Sequence, residues 1–158
     1  MNIIVPPTIE VTEPDDEQLL DAVRLGEAMW SESPVYGGMK QDIAKMIEFA
    51  YNARASDHSF FNVVTVDNSC YGFMIGERAP YGFHDSEFAY DRLLYVTPTR
   101  RGSVAARMLI QAFEDWCKLH GVGRIMLGVT TGVHAAQTEK FYNKLGYQTI
   151  GTLTMKEI

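Results

Sequence analysis

The hydrophobic period of the chain changes between Phe60 and Val129, and that change constrains the fold more than any other feature. Phe60 to Val66 is rich in β-branched and aromatic residues, Asp67-Asn68-Ser69 is a turn, and Tyr71 to Ile75 resumes the apolar run, which predicts a β-hairpin. After an irregular piece from Glu77 to Ser86, which holds Pro80 and Gly82, Phe88 to Val96 predicts a third strand ending at Thr97-Pro98. The period then becomes helical. Ala105, Met108, Leu109, Ala112, Phe113, Trp116 and Leu119 mark one face of a helix from Ser103 to His120, stopped by Gly121 and Gly123. Arg124 to Val129 is again short and β-prone. A strand, a helix and a strand in this order make a crossover, so the sheet is expected to be antiparallel early and parallel where the Phe88 and Arg124 strands meet.

The flanks complete one α/β domain over residues 1–158. A short strand from Ile9 to Thr12 precedes Glu13-Pro14-Asp15-Asp16-Glu17, which supplies a turn, a cap and acidic residues for a helix starting near Asp15. Ser31 to Gly38 reads as a loop, and steps of three and four from Met39 to Ala50 predict a second helix ending near Ala53. Gln137 to Leu145 predicts the last helix and Tyr147 onward a last strand. The expected order is therefore strand, two helices, three strands, helix, strand, helix, strand: a central mixed, mostly antiparallel sheet flanked by helices. The length of 158 residues suits one such domain.

Charge and cysteine usage narrow the function classes. Lys and Arg total 14 against 20 Asp and Glu, a formal charge of -6, the wrong sign for wrapping nucleic acid or anionic lipid and an easier match for a cationic or neutral partner. No apolar run approaches the roughly 20 residues of a membrane span. Cys70 and Cys117 lie outside any CxxC or Cys/His cluster, which predicts neither a metal site nor a disulfide and fits a reducing cytoplasm. The start, MNIIVPPTIEV, has no basic residues before its apolar ones, so no secretory signal is expected.

Chemistry concentrates in Leu94-Tyr95-Val96-Thr97-Pro98-Thr99-Arg100-Arg101-Gly102-Ser103-Val104-Ala105-Ala106-Arg107-Met108-Leu109. A strand stops, a basic glycine-containing loop follows, and a helix starts at once. Unpaired N–H groups and a partial positive charge at such a helix start suit a phosphate, and the small residues Gly102, Ser103, Ala105 and Ala106 let it approach the backbone. The Gly-Lys-Ser/Thr ending of a Walker loop and the GxGxxG dinucleotide fingerprint are both absent. A plain surface turn with a helix cap is the competing reading.

The pattern V-x-P-x-x-R-G-x-x-A-A-x-x-L, with Phe141-Tyr142-Asn143-Lys144-Leu145-Gly146-Tyr147 one strand later, resembles the GCN5-related N-acetyltransferase (GNAT) family. The family's acyl-coenzyme A motif, Q/R-x-x-G-x-G/A, falls on Arg101 to Ala106, with Val104 in place of the central glycine. Its C-terminal helix motif, a tyrosine before x-K-x-G-F/Y, falls on Tyr142. LLYVTPTRRGS and LGVTTGVHAAQTEKFYNKLGY also look like small stand-alone acetyltransferases of tailed bacteriophages.

The resemblance implies acetyl-CoA as acyl donor, direct attack by an amine acceptor from a small molecule or a protein, and a sheet that splays between its fourth and fifth strands. It implies carbonyl polarisation by an amide near Leu94, Tyr95 and Val96, and pyrophosphate binding by Arg100, Arg101, Gly102, Ser103, Val104, Ala105 and Ala106. Tyr142 would be the acid toward the departing thiolate. Glu87 and Asp91, on one face of their strand by alternation, are the candidate bases. Tyr90 lies nearer the position of the glutamate in the family's histone-modifying branch, His84 and His134 are further titratable groups beside the site, and Ala135 stands where many members carry asparagine. Trp30, Tyr36, Tyr81, Phe83 and His84 would line the acceptor pocket, with Glu32, Glu77, Asp85 and Glu87 drawing a cation. Homodimers are common in the family. The alternative is a catalytically silent acyl-CoA-binding or host-protein interaction module on the same scaffold.

Overall fold

A computed structural model describes residues 4–158; the part of the N-terminal reading that falls on residues 1–3 lies outside it. Five strands form one sheet in sequential order: β1 (Ile9–Thr12), β2 (Ser59–Val66), β3 (Ser69–Tyr81), β4 (His84–Val96) and β5 (Ile125–Met126). The first three pairings are antiparallel, and β4 to β5 is parallel. The mixed sheet follows from the chain order: tight turns can only join antiparallel neighbours, and a helix is what carries the chain across to a parallel one.

Helices α1 (Asp16–Glu32) and α2 (Ile43–Ala55) cover one face. The other face carries α3 (Ala105–Leu119), with α4 (Ala135–Lys144) packed beside it. Helix α1 starts where Asp15 can accept from the Gln18 amide at 2.8 Å while Gln18 accepts from the Asp15 amide at 3.0 Å, a reciprocal cap. Leu19, Val23, Phe61, Val63, Phe73 and Ile75 form the α1–α2 core. Phe60, Val64, Met74, Leu109, Ile110 and Phe113 form the α3 core. Alternation along β2 and β3 sends successive side chains to opposite layers, so each strand is buried on both faces. Gly76 belongs to this packing, because a Cβ there would stand 2.4 Å from the Phe113 ring.

The structure differs from the sequence reading in four places. The irregular approach from Glu77 to Ser86 is instead a continuous hairpin: β3 runs to Tyr81, Gly82-Phe83 make the turn, and β4 starts at His84. Pro80 is tolerated because β2 pairs with β3 only as far as Glu77, and a register shift at Pro80/Tyr81 absorbs the missing donor. Helix α2 starts at Ile43, with Asp42 as its cap, and Met39 is left exposed. The Arg124 to Val129 strand shrinks to two paired residues. Finally, no sixth strand forms among the described residues: 148–158 are exposed and without regular secondary structure, because β-propensity expresses fit to a pleated surface and β5 offers only a two-residue edge.

Candidate active site

The shortness of β5 creates the site. Its ladder with β4 ends at Tyr90–Met126, and beyond that point the two strands part. In the gap, Oδ1 of Asp91 accepts the Gly128 amide at 2.9 Å, so a side chain replaces the next rung of the ladder. On the opposite edge of β4, Ile75 faces Leu93 while Gly76 faces Asp91, so Arg92 is the extra residue of a β-bulge. The bulge puts Arg92 and Leu93 together on the α1–α2 face, where Arg92 lies 5.2 Å from the Phe49 ring centre and Leu93 joins the core. The sheet therefore opens into a groove of about 580 Å³, floored by β4 from Asp91 to Val96.

One wall is the basic loop and the start of α3. Gly102 takes a φ of +79° with nothing within 4 Å of a would-be Cβ, which gives the loop its left-handed turn. Val104 sits at the helix cap in ordinary right-handed backbone (φ -74°), so the position where the family has glycine asks nothing that valine cannot do. The first backbone bond of α3 runs from the Met108 amide to the Val104 carbonyl, and Ser103 Oγ caps the Ala105 amide at 3.3 Å. The amides of Ala106 and Arg107, one turn too early for a helical carbonyl, face the helix's positive end. Gly102, Ser103 and Ala106 line the groove; the Ala105 side chain turns into the core, and that of Val104 is 40% exposed.

The two arginines of the loop differ. Arg100 lies 4.4 Å from the Tyr71 ring centre, exposed and without a carboxylate within salt-bridge range among the described residues. Arg101 donates from both terminal nitrogens to Glu32, with Nη2 to Oε2 at 2.7 Å, and from Nε to the Val96 carbonyl at 3.1 Å. The hydrogen bonds from Arg101 hold the Glu32 carboxyl below its usual range. Its guanidinium is thus spent on α1, and Arg101 fastens the loop more than it offers a free charge. Next to Glu32, Ser33 Oγ donates to the Thr131 carbonyl at 2.5 Å and accepts the Val35 and Tyr36 amides. The end of α1 therefore ties together both walls of the groove.

The other wall is the 128–134 loop and α4. Gly128, Thr130, Thr131, His134, Gln137 and Tyr142 line it. Tyr142 is 7% exposed and shares the groove with Asp91. Burial, followed by the charge of Asp91, pushes the phenol well above its ordinary value, so it stays protonated at neutral pH. Burial also pushes the Asp91 carboxyl up to about 6, against the opposing hydrogen bond from Gly128. Neither thiol competes as a nucleophile, since burial raises Cys70 to about 11 and Cys117 to about 12.

Of the residues singled out in the sequence, Leu94, Tyr95, Val96, Arg100, Arg101, Gly102, Ser103, Ala106, Asp91 and Tyr142 converge on this groove. Glu87 does not: its carboxylate pairs with Arg78 at 2.6 Å on the outer hairpin. Tyr81, Phe83 and His84 also sit on that hairpin, where Tyr81 packs against Phe83 and Phe88 and His84 Nδ1 bonds Ser86 Oγ. Tyr90 donates to Glu77 at 2.6 Å, away from the groove lining. Trp30 stands on the α1–α2 face with Tyr36 edge-on at 5.2 Å. Gly128 and the threonines after it are site residues that sequence reading passed over; the Gly-Val-Thr-Thr-Gly run between a strand and a helix was their only signal.

The groove fits an acyl-coenzyme A. A helix start with open amides and a left-handed glycine suits the pyrophosphate, and the parted strands leave room for an extended arm. Sequence comparison with the acetyltransferase (GNAT) family matches residues 23–147. Among solved structures, the aminoglycoside N-acetyltransferase AAC(6')-Iy in complex with CoA is similar over 99% of both chains, with 14% identity and a TM-score of 0.79. AAC(6')-IG from Acinetobacter haemolyticus, an aminoglycoside 6'-N-acetyltransferase, is 16% identical over 94% of this chain and 97% of its own, with a TM-score of 0.74. The ribosomal-protein-alanine N-acetyltransferase from Brucella melitensis biovar Abortus 2308 is 14% identical over 96% and 99%, with a TM-score of 0.70. No curated protein matches the chain in sequence. With the family matched across most of its length and the family's groove formed by its own residues, the chain belongs to the GNAT family of acetyltransferases, which take acetyl-CoA as acyl donor.

Proposed function

We propose that the protein transfers an acetyl group from acetyl-CoA to the amine of a small molecule or protein, with Asp91 as base and Tyr142 as acid. One observation carries this reading: the half-buried Asp91 carboxyl and the buried Tyr142 phenol line the same groove that the helix start and the parted strands open, and burial pushes both toward their protonated forms. A base is useful when its pKa lies near the working pH, and Asp91 is moved toward that range by burial.

The bound thioester supplies the activated acyl group. The residues of this chain do the rest. Open amides of Ala106 and Arg107, with Arg100, hold the diphosphate, and Arg101 keeps the loop against α1 and Val96. The β5-facing edge of β4 beyond Asp91 has no strand partner, so its backbone is available to the arm and to the acyl carbonyl. Asp91 accepts the amine proton as the new N–C bond forms. Neutralising Asp91 also removes the charge that, after burial, raises the Tyr142 phenol, which eases hydrogen-bond or proton donation to the sulfur as the C–S bond breaks. The Glu87 alternative loses its support, since that carboxylate is engaged by Arg78.

Among the described residues no helix is long and apolar enough to cross a membrane. Cys70 and Cys117 are free thiols. The test is calorimetric titration with acetyl-CoA, followed by thiol release with amine acceptors. Binding with acceptor-dependent release supports the transferase; binding without release from any amine would favour a silent acyl-CoA-binding module.

A further inference from the structure

A second cavity, of about 350 Å³, lies between α1, α2 and the sheet. Arg92 and Leu93, the two consecutive side chains that the bulge turns to the same side, line both this cavity and the groove. Its walls are apolar: Val23, Met46, Phe49, Phe61, Phe73 and Ile75. Gly26 helps keep it open, since a Cβ there would already stand 3.1 Å from Met46 Cε. Among the described residues no carboxylate lines the cavity, and the charged side chains there are Lys45 and Arg92. Arg92 is paired with Glu77 at 2.9 Å, whereas Lys45 has no carboxylate within 4 Å among the described residues.

We propose that this cavity selects the acceptor, and that the acceptor is a monoamine on an aromatic or branched aliphatic body whose far end is neutral or anionic. The inference rests on the acetyl-transfer reading and deepens it. An apolar body gains by leaving water for these walls, while a second or third ammonium group would be desolvated beside Lys45 with no carboxylate to receive it. The reacting amine stays at the groove end, next to Asp91, and the body extends past Leu93 toward Gly26. The negative charge of the whole chain does not reach this lining, so the cationic acceptor suggested by composition gives way to one with a single ammonium.

The test is to titrate the coenzyme A-loaded protein with 2-phenylethylamine, 4-(2-aminoethyl)benzoate, whose carboxylate lies at the end of the ring away from the amine, and the polycationic kanamycin. Both aromatic amines are expected to bind at least tenfold more tightly than kanamycin. Gly26→Leu, which fills the cavity, is expected to weaken both at least tenfold with coenzyme A affinity unchanged. Lys45→Glu, on the exposed rim, is expected to weaken 4-(2-aminoethyl)benzoate several-fold relative to 2-phenylethylamine, and it keeps the test alive where the Gly26 variant does not fold. Tighter binding of kanamycin, or aromatic-amine affinities unmoved by the variants, overturns the inference. Coenzyme A binding without aromatic-amine binding overturns the acceptor inference alone. Loss of coenzyme A binding by the wild-type protein removes the acetyl-transfer reading and this inference with it.

Discussion

Glu87 and Asp91 stand four residues apart on one strand, in opposite surroundings. Glu87 lies on the outer ribbon, where β3 and β4 have left β2 behind, and its carboxylate is neutralised by Arg78 at 2.6 Å. Asp91 lies where β4 parts from β5, and its partner is a neutral amide, Gly128, at 2.9 Å. An ion pair stabilises the charged form of a carboxyl; burial without a cation disfavours it. The difference comes from which strand ends where, and the residue type alone does not carry it.

The sharpest way to break this contrast is to remove each carboxylate in turn. Asp91→Asn should lower kcat/KM for acetyl transfer by roughly 100- to 10,000-fold, the range for a lost general base, with acetyl-CoA affinity preserved in a parallel titration. Next in size, Tyr142→Phe should cost roughly 10- to 100-fold in kcat and leave coenzyme binding intact; equal turnover would take the phenol out of the mechanism. Arg101→Ala should weaken acetyl-CoA binding by less than about tenfold while costing on the order of 1–2 kcal/mol of stability in denaturant titration, since its guanidinium holds Glu32 and Val96. Smallest of all, Glu87→Gln should leave kcat/KM within about twofold of wild type, because the ion pair it breaks lies partly in solvent and outside the groove.

Stability sharpens the same comparison in the other direction. The folded pKa of Asp91, about 6, is above its unfolded value, so its contribution to stability is fully present below the unfolded pKa and is lost as pH rises through about 6. Above pH 7, Asp91→Asn should therefore be more stable than wild type, by an amount on the order of 1–3 kcal/mol in denaturant titration. The advantage should shrink as pH falls toward about 4, near the unfolded carboxyl. A variant that gains stability while losing activity would mark Asp91 as a group kept for chemistry. One that loses stability at every pH would mark it as a mere prop for Gly128.

What the sequence made legible follows from local physics. Helix α3 was readable because its apolar positions recur at helical spacing and glycines end it, and its loop because small and basic residues meet a helix start. Tyr142 was legible only through the motif around it. The long hairpin was hidden by Pro80 and Gly82, which usually break strands but here lie on a two-stranded edge. The missing last strand was hidden because Ile150, Leu153 and Met155 have strand character without an edge to join. The choice between Glu87 and Asp91 depended on Arg78 and on the end of β5, contacts made across strands that alternation along β4 does not report.

The most direct measurement is the pH dependence of kcat/KM for thiol release, wild type beside Asp91→Asn. The wild-type profile should fall on its acid side with a midpoint near pH 6, where Asp91 takes up its proton, and that limb should vanish in the variant. A limb that persists unchanged in Asp91→Asn would contradict the assignment of Asp91 as the base.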